Sequence, residues 1–297
     1  MNCKICSQNV EKIFTRKVLS KYDVSYFRCI NCHFIQTEEP FWLEEAYGLG
    51  AISALDVGII SRNTFLAKKT EEILDELFPL DKLFPELEPF IGVDYGGGQG
   101  IFVRMMRDMG YNFYRQDLYA ENLYTKYFDI TDLPKDAHFI ILTAFEVFEH
   151  LPNPIEEIKK MFDYSDILLF STELQPSDEV SEIEKWWYIV PETGQHVSLF
   201  NKTTLEKIAK ILDVNLYTDS CSLHILSKKP LTIDPFFKEE PTPVIEEKKS
   251  ISQRIVNKIN NKQSVEQPPL ETTFIKRTSL TQSDFEFVKQ KINAISN

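Results

Sequence analysis

The sequence predicts an α/β fold, a largely parallel sheet covered by helices on both faces, over residues 89–229. Two observations predict it: short apolar segments alternate with amphipathic segments, and a glycine-rich turn at residues 95–100 joins the first pair. Repeated strand–helix units form parallel sheets with helices on both faces. Ligands bind beyond the carboxyl ends of such strands, so we expect the glycine-rich turn at the binding edge.

The predicted elements follow one another in chain order, each identified by its apolar period. Strands are predicted over residues 91–94, 112–117, 126–130, 139–143 and 167–171. Helices are predicted over residues 101–109 and 154–162 and from Thr203 onward, where Thr203 and Glu206 fit a capping box. Residues 216–218 and 223–227 are predicted to add a final antiparallel pair.

Three further segments flank this α/β domain. Residues 1–40 form a cysteine-containing module, and residues 41–88 form a helical lead-in whose apolar residues recur at helical spacing. Residues 230–297 have no glycine and long polar runs, a composition that favours a flexible tail. Short amphipathic helices within this tail, at 251–259 and 285–295, are expected to bind a protein partner or the domain itself, or to have no role.

The charge distribution bears on the class of partner. The net charge is −12, the acidic excess lies in the first 229 residues, and residues 1–45 hold as many basic as acidic side chains. A protein that binds a nucleic-acid backbone usually has a basic surface, so the composition disfavours nucleic acid. No apolar run is long enough to span a membrane, and the N-terminus lacks the pattern of a signal peptide. We therefore expect a cytoplasmic protein with reduced thiols.

Asp94 and the glycines after it form the most informative motif. Gly96, Gly98 and Gly100 stand at alternate positions, where the missing Cβ lets the backbone approach a ligand. A dinucleotide fingerprint needs glycine at the sixth position, which is Ile101 when counted from Gly96. The Asp-x-Gly-x-Gly-x-Gly pattern instead resembles the cofactor loop of class I S-adenosylmethionine (SAM)-dependent methyltransferases. A turn that binds no ligand is the alternative.

A second motif follows the strand predicted at residues 139–143. It resembles the Glu-Val-x-Glu-His-x-x-x-Pro pattern of one methyltransferase group, with matches at Glu146, Val147, Glu149, His150 and Pro154. Residues 186–200 also resemble a segment of that group, whose members carry an N-terminal cysteine module and often modify sugars or polysaccharide precursors. The resemblance covers about residues 1–229 and implies a Rossmann-like class I methyltransferase sheet, bound SAM and a small-molecule or glycan acceptor.

The resemblance also implies which residues bind SAM. Asp117, at the end of the second strand, is placed to accept hydrogen bonds from the ribose hydroxyls, and Asp129, at the end of the third, to accept one from the adenine amino group. Arg62 is expected to pair with the methionine carboxylate. The alternatives are a solvated loop carboxylate at Asp117 and a turn-capping Asp129. The predicted cofactor-binding residues are Asp94, Gly96, Gly98, Gly100, Asp117, Asp129 and Arg62.

Three residues are candidates for acceptor chemistry, because a general base assists methyl transfer to a hydroxyl or an acidic carbon. His196 lies in the segment after the fifth strand, where such folds hold acceptor-side residues. His150 and Glu149 follow the fourth strand and are expected at the same edge. A hydrogen-bonded structural role is the alternative for each.

Two cysteine pairs, Cys3-x-x-Cys6 and Cys29-x-x-Cys32, predict a metal site. Each pair fits a knuckle turn that aims both thiolates at one point, and four thiolates complete a tetrahedral Zn²⁺ site. Such a site has no open position, so we expect the zinc to be structural. Free thiols or two disulfides are the alternatives. Cys221 stands alone and is expected to be a small buried residue.

The leading functional hypothesis is a SAM-dependent methyltransferase that acts on a sugar or polysaccharide precursor. An RNA methyltransferase with a zinc recognition module is an alternative, which the acidic balance disfavours. A non-catalytic SAM-binding scaffold is a second alternative, which the complete Asp94 and glycine motif disfavours.

Overall fold

The computed structural model describes residues 1–48, 55–79, 91–135, 137–237 and 277–295. The strands are β1 (Val10–Val18), β2 (Tyr22–Cys29), β3 (Ile35–Thr37), β4 (Gly92–Tyr95), β5 (Phe113–Gln116), β6 (Ile141–Ala144), β7 (Ile167–Ser171), β8 (Ser198–Leu199), β9 (Asn215–Thr218) and β10 (Leu223–Ser227). The helices are α1 (Leu43–Gly48), α2 (Ile59–Leu77), α3 (Ile101–Asp108), α4 (Pro154–Met161), α5 (Val180–Ile183), α6 (Lys202–Leu212) and α7 (Thr281–Ile295).

The larger sheet has the strand order β5-β4-β6-β7-β10-β9. Its first four strands are parallel, whereas β10 runs antiparallel to both β7 and β9. The parallel strands are short apolar runs because both faces of the sheet are covered: Val93, Leu142 and Leu169 are completely buried. This mixed sheet with helices confirms the predicted α/β fold, including the antiparallel pair that closes it.

Each face of this sheet packs against its own set of helices. On one face, α2 and α3 contribute Leu74, Val103 and Met106 to a core that includes Phe113 of β5. On the other face, α4 and α6 contribute apolar side chains to a second core. The covered faces leave the loops at the carboxyl ends of β4, β5 and β6 as the accessible edge.

Two local predictions were wrong. Residues 126–130 do not form a strand; Tyr127 has a φ of 72°, which interrupts an extended backbone, and only one bridge joins Arg115 to Asp129. The cap of α6 is Asn201, whose side chain accepts a hydrogen bond from the Thr204 amide at 2.8 Å, rather than Thr203.

The four cysteines lie beside a second sheet, of order β1-β2-β3-β8. Strand β8 comes from outside the predicted module, since Ser198 and Leu199 pair with Gln36 and Ile35. The Thr204 hydroxyl of α6 also donates a hydrogen bond to the Cys32 carbonyl at 2.8 Å. The cysteine-bearing segment therefore shares contacts and core with the α/β domain.

The fifth cysteine, Cys221, is exposed rather than buried. It lies in the turn between β9 and β10, where its backbone amide donates a hydrogen bond to the Asp219 carboxylate at 2.8 Å. A turn of this kind runs over the surface, so a small apolar side chain there has no core to enter.

The second amphipathic stretch of the tail forms α7, in the same compact unit as residues 1–236. Its buried Asp284 binds the Arg107 guanidinium of α3 through two contacts of 2.7 and 2.8 Å. Arg107 also lies 3.8 Å from the centre of the Phe128 ring. The predicted stretch at 251–259 lies outside the described residues. No helix within the described ranges has the length and apolar character needed to cross a bilayer.

Replacing Asp284 with alanine is expected to release α7, because the buried Arg107 charge would lose its partner, at a cost of about 3–5 kcal/mol if α7 stayed in place. Hydrogen exchange at α7 amides should accelerate while exchange in β4 and β6 stays slow. Glu286→Ala is the matched control, since Glu286 has a half-exposed side chain whose partners, Gln282 at 3.3 Å and Lys289 at 4.0 Å, belong to α7 itself. Unchanged α7 exchange in Asp284→Ala would show that this pair does not hold the helix.

Candidate active site

The turn after β4 has three glycines in the left-handed region of backbone conformation. The φ angles of Gly96, Gly98 and Gly100 are 71°, 54° and 91°. A Cβ on Gly96 would lie 2.7 Å from Val147 Cγ2, and one on Gly100 would lie 2.3 Å from Thr125 Oγ1. Glycine is therefore required at both positions for steric as well as conformational reasons.

Gly98 differs from its neighbours because its missing side chain faces open space. Apart from Gly98 and its two chain neighbours, no heavy atom of the described residues lies within 4 Å of the position that a Cβ would occupy. The backbone at this point is therefore exposed on one face and fixed on the other, a geometry that lets a ligand approach the main chain closely.

Buried Arg115 of β5 fixes the other side of the turn. Its guanidinium donates hydrogen bonds to the Gly98 carbonyl, to the Ala120 carbonyl at 3.0 Å and, through Nε, to the Asp129 carboxylate at 2.7 Å. Asn122 donates to the other oxygen of Asp129 at 2.9 Å. Asp129 is thus bound to two side chains around the glycine turn, and its predicted contact with adenine stays a prediction.

Asp117 lies directly after β5 and faces the glycine turn. Its carboxylate accepts hydrogen bonds from the amides of Gly98, Tyr119 and Ala120 at 2.9, 2.8 and 2.7 Å. A carboxylate has about four acceptor positions, so roughly one remains for another donor. The turn after β4 and the loop after β5 are therefore joined through a partly exposed carboxylate.

Asp94 is buried at the end of β4 and accepts a hydrogen bond from the Thr143 hydroxyl at 2.7 Å. Burial raises the pKa of Asp94 to about 7, and the nearby Asp117 adds to the rise, while Thr143 and Arg115 oppose it. Its carboxylate also packs against the turn, since a Cβ on Gly97 would lie 2.8 Å from Asp94 Oδ2. The buried Asp94 carboxylate therefore contacts the glycine turn on its sheet side and helps to fix its conformation.

Arg62 of α2 already has protein partners. Its guanidinium donates to the Asp56 carboxylate at 3.0 and 2.6 Å and lies 3.7 Å from Glu146 Oε2. Glu146 has a φ of 55° and accepts a hydrogen bond from the Ser171 hydroxyl at 2.7 Å. The predicted pairing of Arg62 with a methionine carboxylate would have to exchange or share these partners.

Glu149, His150 and His196 meet near the same edge. Glu149 and His150 belong to a 3₁₀ helix (Phe148–His150) after β6, and His196 precedes β8. One potential metal-ligand atom from each of the three lies within 4.8 Å of the other two. The rings of His150 and His196 are perpendicular, with centres 5.0 Å apart. The structure thus brings together the three residues that the sequence predicted for acceptor chemistry.

Burial dominates the electrostatics of these three side chains. It lowers the pKa of His150 to about 3, with a further contribution from His196, and lowers that of His196 to about 4. It raises the pKa of Glu149 well above its usual range, and the neighbouring Glu146 adds to the rise. Both imidazoles are therefore neutral at neutral pH and carry unshared electron pairs.

Tyr47 connects this cluster to the loop after β5. Its ring stacks on Tyr119 at 5.4 Å and lies 6.4 Å from the His150 ring. Partial burial raises the pKa of Tyr47 to about 12, and the negative charges of Glu149 and Asp117 contribute. The glycine turn and the Glu149 cluster are therefore two parts of one edge.

Two residues of the site were not identified as its members from the sequence: Arg115 and Glu146. Glu146 lies within the matched motif, which was a usable signal. Arg115 carries no local signal, because its contacts join segments far apart in the chain. Tyr188, whose carbonyl accepts a hydrogen bond from His196, lies in the segment 186–200, which did carry a signal.

The four sulfur atoms of Cys3, Cys6, Cys29 and Cys32 also meet, within 4.8 Å of one another. Backbone amides point at them: those of Ile5 and Asn31 donate to Cys3 and Cys29 Sγ at 3.4 Å. These amide contacts stabilise negative charge on sulfur, as expected of knuckle turns around a metal.

Comparison with known proteins identifies one matching family model. The model described as a methyltransferase domain matches residues 62–217, which include the glycine turn and the Glu149 cluster. No curated protein sequence matches the chain significantly.

Several solved structures are similar at low identity. The plantazolicin methyltransferase BpumL, in complex with a monoazolic desmethylPZN analog and SAH, is 15% identical, with 65% of this chain and 98% of that chain covered and a TM-score of 0.40. OxaC in complex with sinefungin and meleagrin is 14% identical over 52% and 47% of the two chains, with a TM-score of 0.38. Monomeric WbdD is 13% identical over 59% and 42%, with a TM-score of 0.36. Sequence identity and structural similarity this low do not indicate which substrate this chain uses.

The raised pKa of Asp94 predicts a pH-dependent effect of Asp94→Asn. Above the ordinary carboxyl pKa of 3.8 the unfolded chain releases this proton, while the folded chain keeps it up to about pH 7. The contribution of Asp94 to stability is therefore highest below about pH 4 and falls as the pH rises to 7. Asparagine has no proton to lose, so the variant should gain stability relative to wild type, by about 4 kcal/mol at most near pH 8.

Urea unfolding of both proteins at about pH 5 and pH 8 measures this difference. A free-energy difference that is the same at both pH values would mean that Asp94 titrates normally in the folded protein.

Proposed function

The chain belongs to the methyltransferase domain family, and on that premise we propose that it transfers a methyl group from SAM to a hydroxylated small molecule, such as a sugar or polysaccharide precursor. The observation that carries the proposal is the continuous edge formed by the open face at Gly98, the Asp117 carboxylate and the buried Glu149 cluster. The end at Gly98 and Asp117 suits a nucleoside, and the end at the Glu149 cluster suits a polar acceptor.

The cofactor end fits SAM in its donor and acceptor groups. Gly98 leaves space against the main chain, and Asp117 keeps acceptor capacity for a ribose hydroxyl. When bound, SAM supplies a methyl group on a positively charged sulfur that is already activated for displacement. The task of the protein is to align the acceptor and exclude water.

We assign the acceptor end to Glu149, His150 and His196. The Tyr188 carbonyl accepts a hydrogen bond from His196 Nδ1 at 2.5 Å, which leaves Nε2 with its unshared pair. Tyr47 partly covers the space between this cluster and Tyr119. These residues can bind and orient an acceptor oxygen and limit the entry of water.

The choice of a sugar-like acceptor rests on the Glu146–Pro154 motif and on charge. The acidic excess of residues 1–229 disfavours an RNA backbone. The acidic residues would repel RNA phosphates, but they do not repel a neutral or cationic small molecule that carries hydroxyl groups. No specific observation favours the RNA methyltransferase or the scaffold over this assignment.

Methyl transfer can be measured directly. Incubation with methyl-labelled SAM and fractionated cell extract should place label in the saccharide fraction. Gly98→Ala should abolish most labelling, because the new Cβ fills the ligand-facing space and strains a φ of 54° by about 1–2 kcal/mol. Gly48→Ala is the matched control, since Gly48 has open space without a left-handed φ, and should label normally.

The alternatives give other outcomes. Label in RNA would replace the proposed acceptor. Binding of S-adenosylhomocysteine without label in any fraction would support the scaffold instead.

We further propose that Cys3, Cys6, Cys29 and Cys32 hold a structural Zn²⁺. Four sulfur atoms within mutual reach, three of them buried, form a donor set that suits Zn²⁺ and leaves no open coordination position. The site lies in the same core as α6, so the ion would stabilise the α/β domain as well as the small sheet.

The zinc proposal predicts about one zinc per chain in the purified protein and little in Cys29→Ser, by elemental analysis. Loss of the ion should lower the melting temperature by about 10 °C or more. Cys221→Ser is the matched control and should keep the metal, since Cys221 is exposed and outside the cluster. Full zinc content in Cys29→Ser would contradict the assignment.

A further inference from the structure

We propose that Glu149, His150 and His196 form a second metal site, for a first-row divalent cation such as Mn²⁺, distinct from the cysteine cluster. The three residues offer two imidazole nitrogens and one carboxylate oxygen within 4.8 Å of one another. This mixed donor set suits first-row divalent cations, whereas four thiolates select Zn²⁺.

Buried polar atoms of the cluster lack a well-formed hydrogen bond to the protein. Neither oxygen of Glu149 nor Nδ1 of His150 makes a hydrogen bond of ordinary geometry within the described residues. The groups that face the Glu149 carboxyl are His150 Nε2, 3.9 Å from Oε1, and the hydroxyls of Tyr188 and Thr172. The Glu149 side chain is completely inaccessible to solvent. Buried polar groups are almost always paired, and an unpaired carboxylate is especially costly. A bound cation would supply the missing partner.

The orientation of His196 also suits a metal ligand. Its Nδ1 lies 2.5 Å from the Tyr188 carbonyl, which can only accept, so Nδ1 carries the proton. The unshared pair is therefore on Nε2. Metal-binding histidines usually donate their second ring nitrogen to a carbonyl or carboxylate in this way. The backbone of a buried residue thus fixes the tautomer that a metal requires.

The charge around the cluster also favours a bound cation. Glu146 lies close enough to Glu149 to raise its pKa. Arg62 lies 3.7 Å from Glu146, and its charge adds to the lowering of the His196 pKa by burial, but its guanidinium is paired with Asp56. The surroundings thus supply more negative than positive charge, which favours a bound cation.

The proposed site has three protein ligands, so positions remain open for an oxygen of another molecule. This use of the site rests on the proposed function: the open positions would bind the acceptor hydroxyl and lower its pKa. His196 would then act as a ligand rather than as a general base. Metal binding itself requires neither SAM nor an acceptor, so it can be tested separately.

The test uses the full-length protein with its thiols reduced and supplied with one equivalent of Zn²⁺, which the cysteines prefer. Mn²⁺ is then titrated, and free Mn²⁺ is measured by electron paramagnetic resonance. We expect about one bound Mn²⁺ per chain. Glu149→Gln and His196→Gln should each weaken binding at least about tenfold. His138→Gln, at an exposed histidine outside the cluster, should bind as wild type does.

A second measurement does not depend on the variants folding. In the wild-type protein, bound Mn²⁺ should broaden the imidazole NMR signals of His150 and His196 and spare that of His138. Either of two results would overturn the proposal: no uptake of Mn²⁺ by the wild-type protein, or uptake that leaves the His150 and His196 signals sharp. Failure to methylate any acceptor, with Mn²⁺ bound as expected, would overturn the proposed function and leave the metal site standing.

Discussion

The buried Arg115 guanidinium is the interaction on which the rest of the site depends. It binds the Gly98 carbonyl, the Ala120 carbonyl and the Asp129 carboxylate, so one charge holds three separate segments at the carboxyl edge of the sheet. A buried cation must keep its partners, because an unpaired charge in the interior is strongly unfavourable. The glycine turn therefore takes its left-handed conformation from the fold and does not need a ligand to impose it.

This preorganised turn is joined to the acceptor side through short contacts. Val147, next to the Glu149 cluster, packs against Gly96, and Tyr47 spans the gap between Tyr119 and His150. A change in the loop after β6 would consequently alter the geometry of both the glycine turn and the Glu149 cluster. The small sheet beside the cysteine cluster is joined to the same region, because β8 begins two residues after His196 and pairs with β3.

The sequence predicted the features that depend on neighbouring residues. Alternating glycines, short apolar runs and two Cys-x-x-Cys pairs determine local backbone geometry, and they led to the α/β fold, the turn and the cysteine cluster. Contacts between distant segments could not be predicted in this way. The pairing of β8 with β3, the burial of Arg115 and the docking of Asp284 on Arg107 each join residues far apart in the chain. The strand expected at 126–130 was wrong for a different reason: the positive φ of Tyr127 interrupts the extended backbone, and one bridge, between Arg115 and Asp129, remains in the segment.

We propose that the edge between Gly98 and Glu149 binds the methyl donor beside its acceptor. A crystal structure of the protein with S-adenosylhomocysteine is the decisive measurement. We expect electron density for the ligand against Gly96–Gly100, with a ribose hydroxyl at Asp117 and the sulfur pointing toward the Glu149 cluster. Density at a different surface, or side chains that fill the space beside Gly98 under saturating ligand, would contradict it.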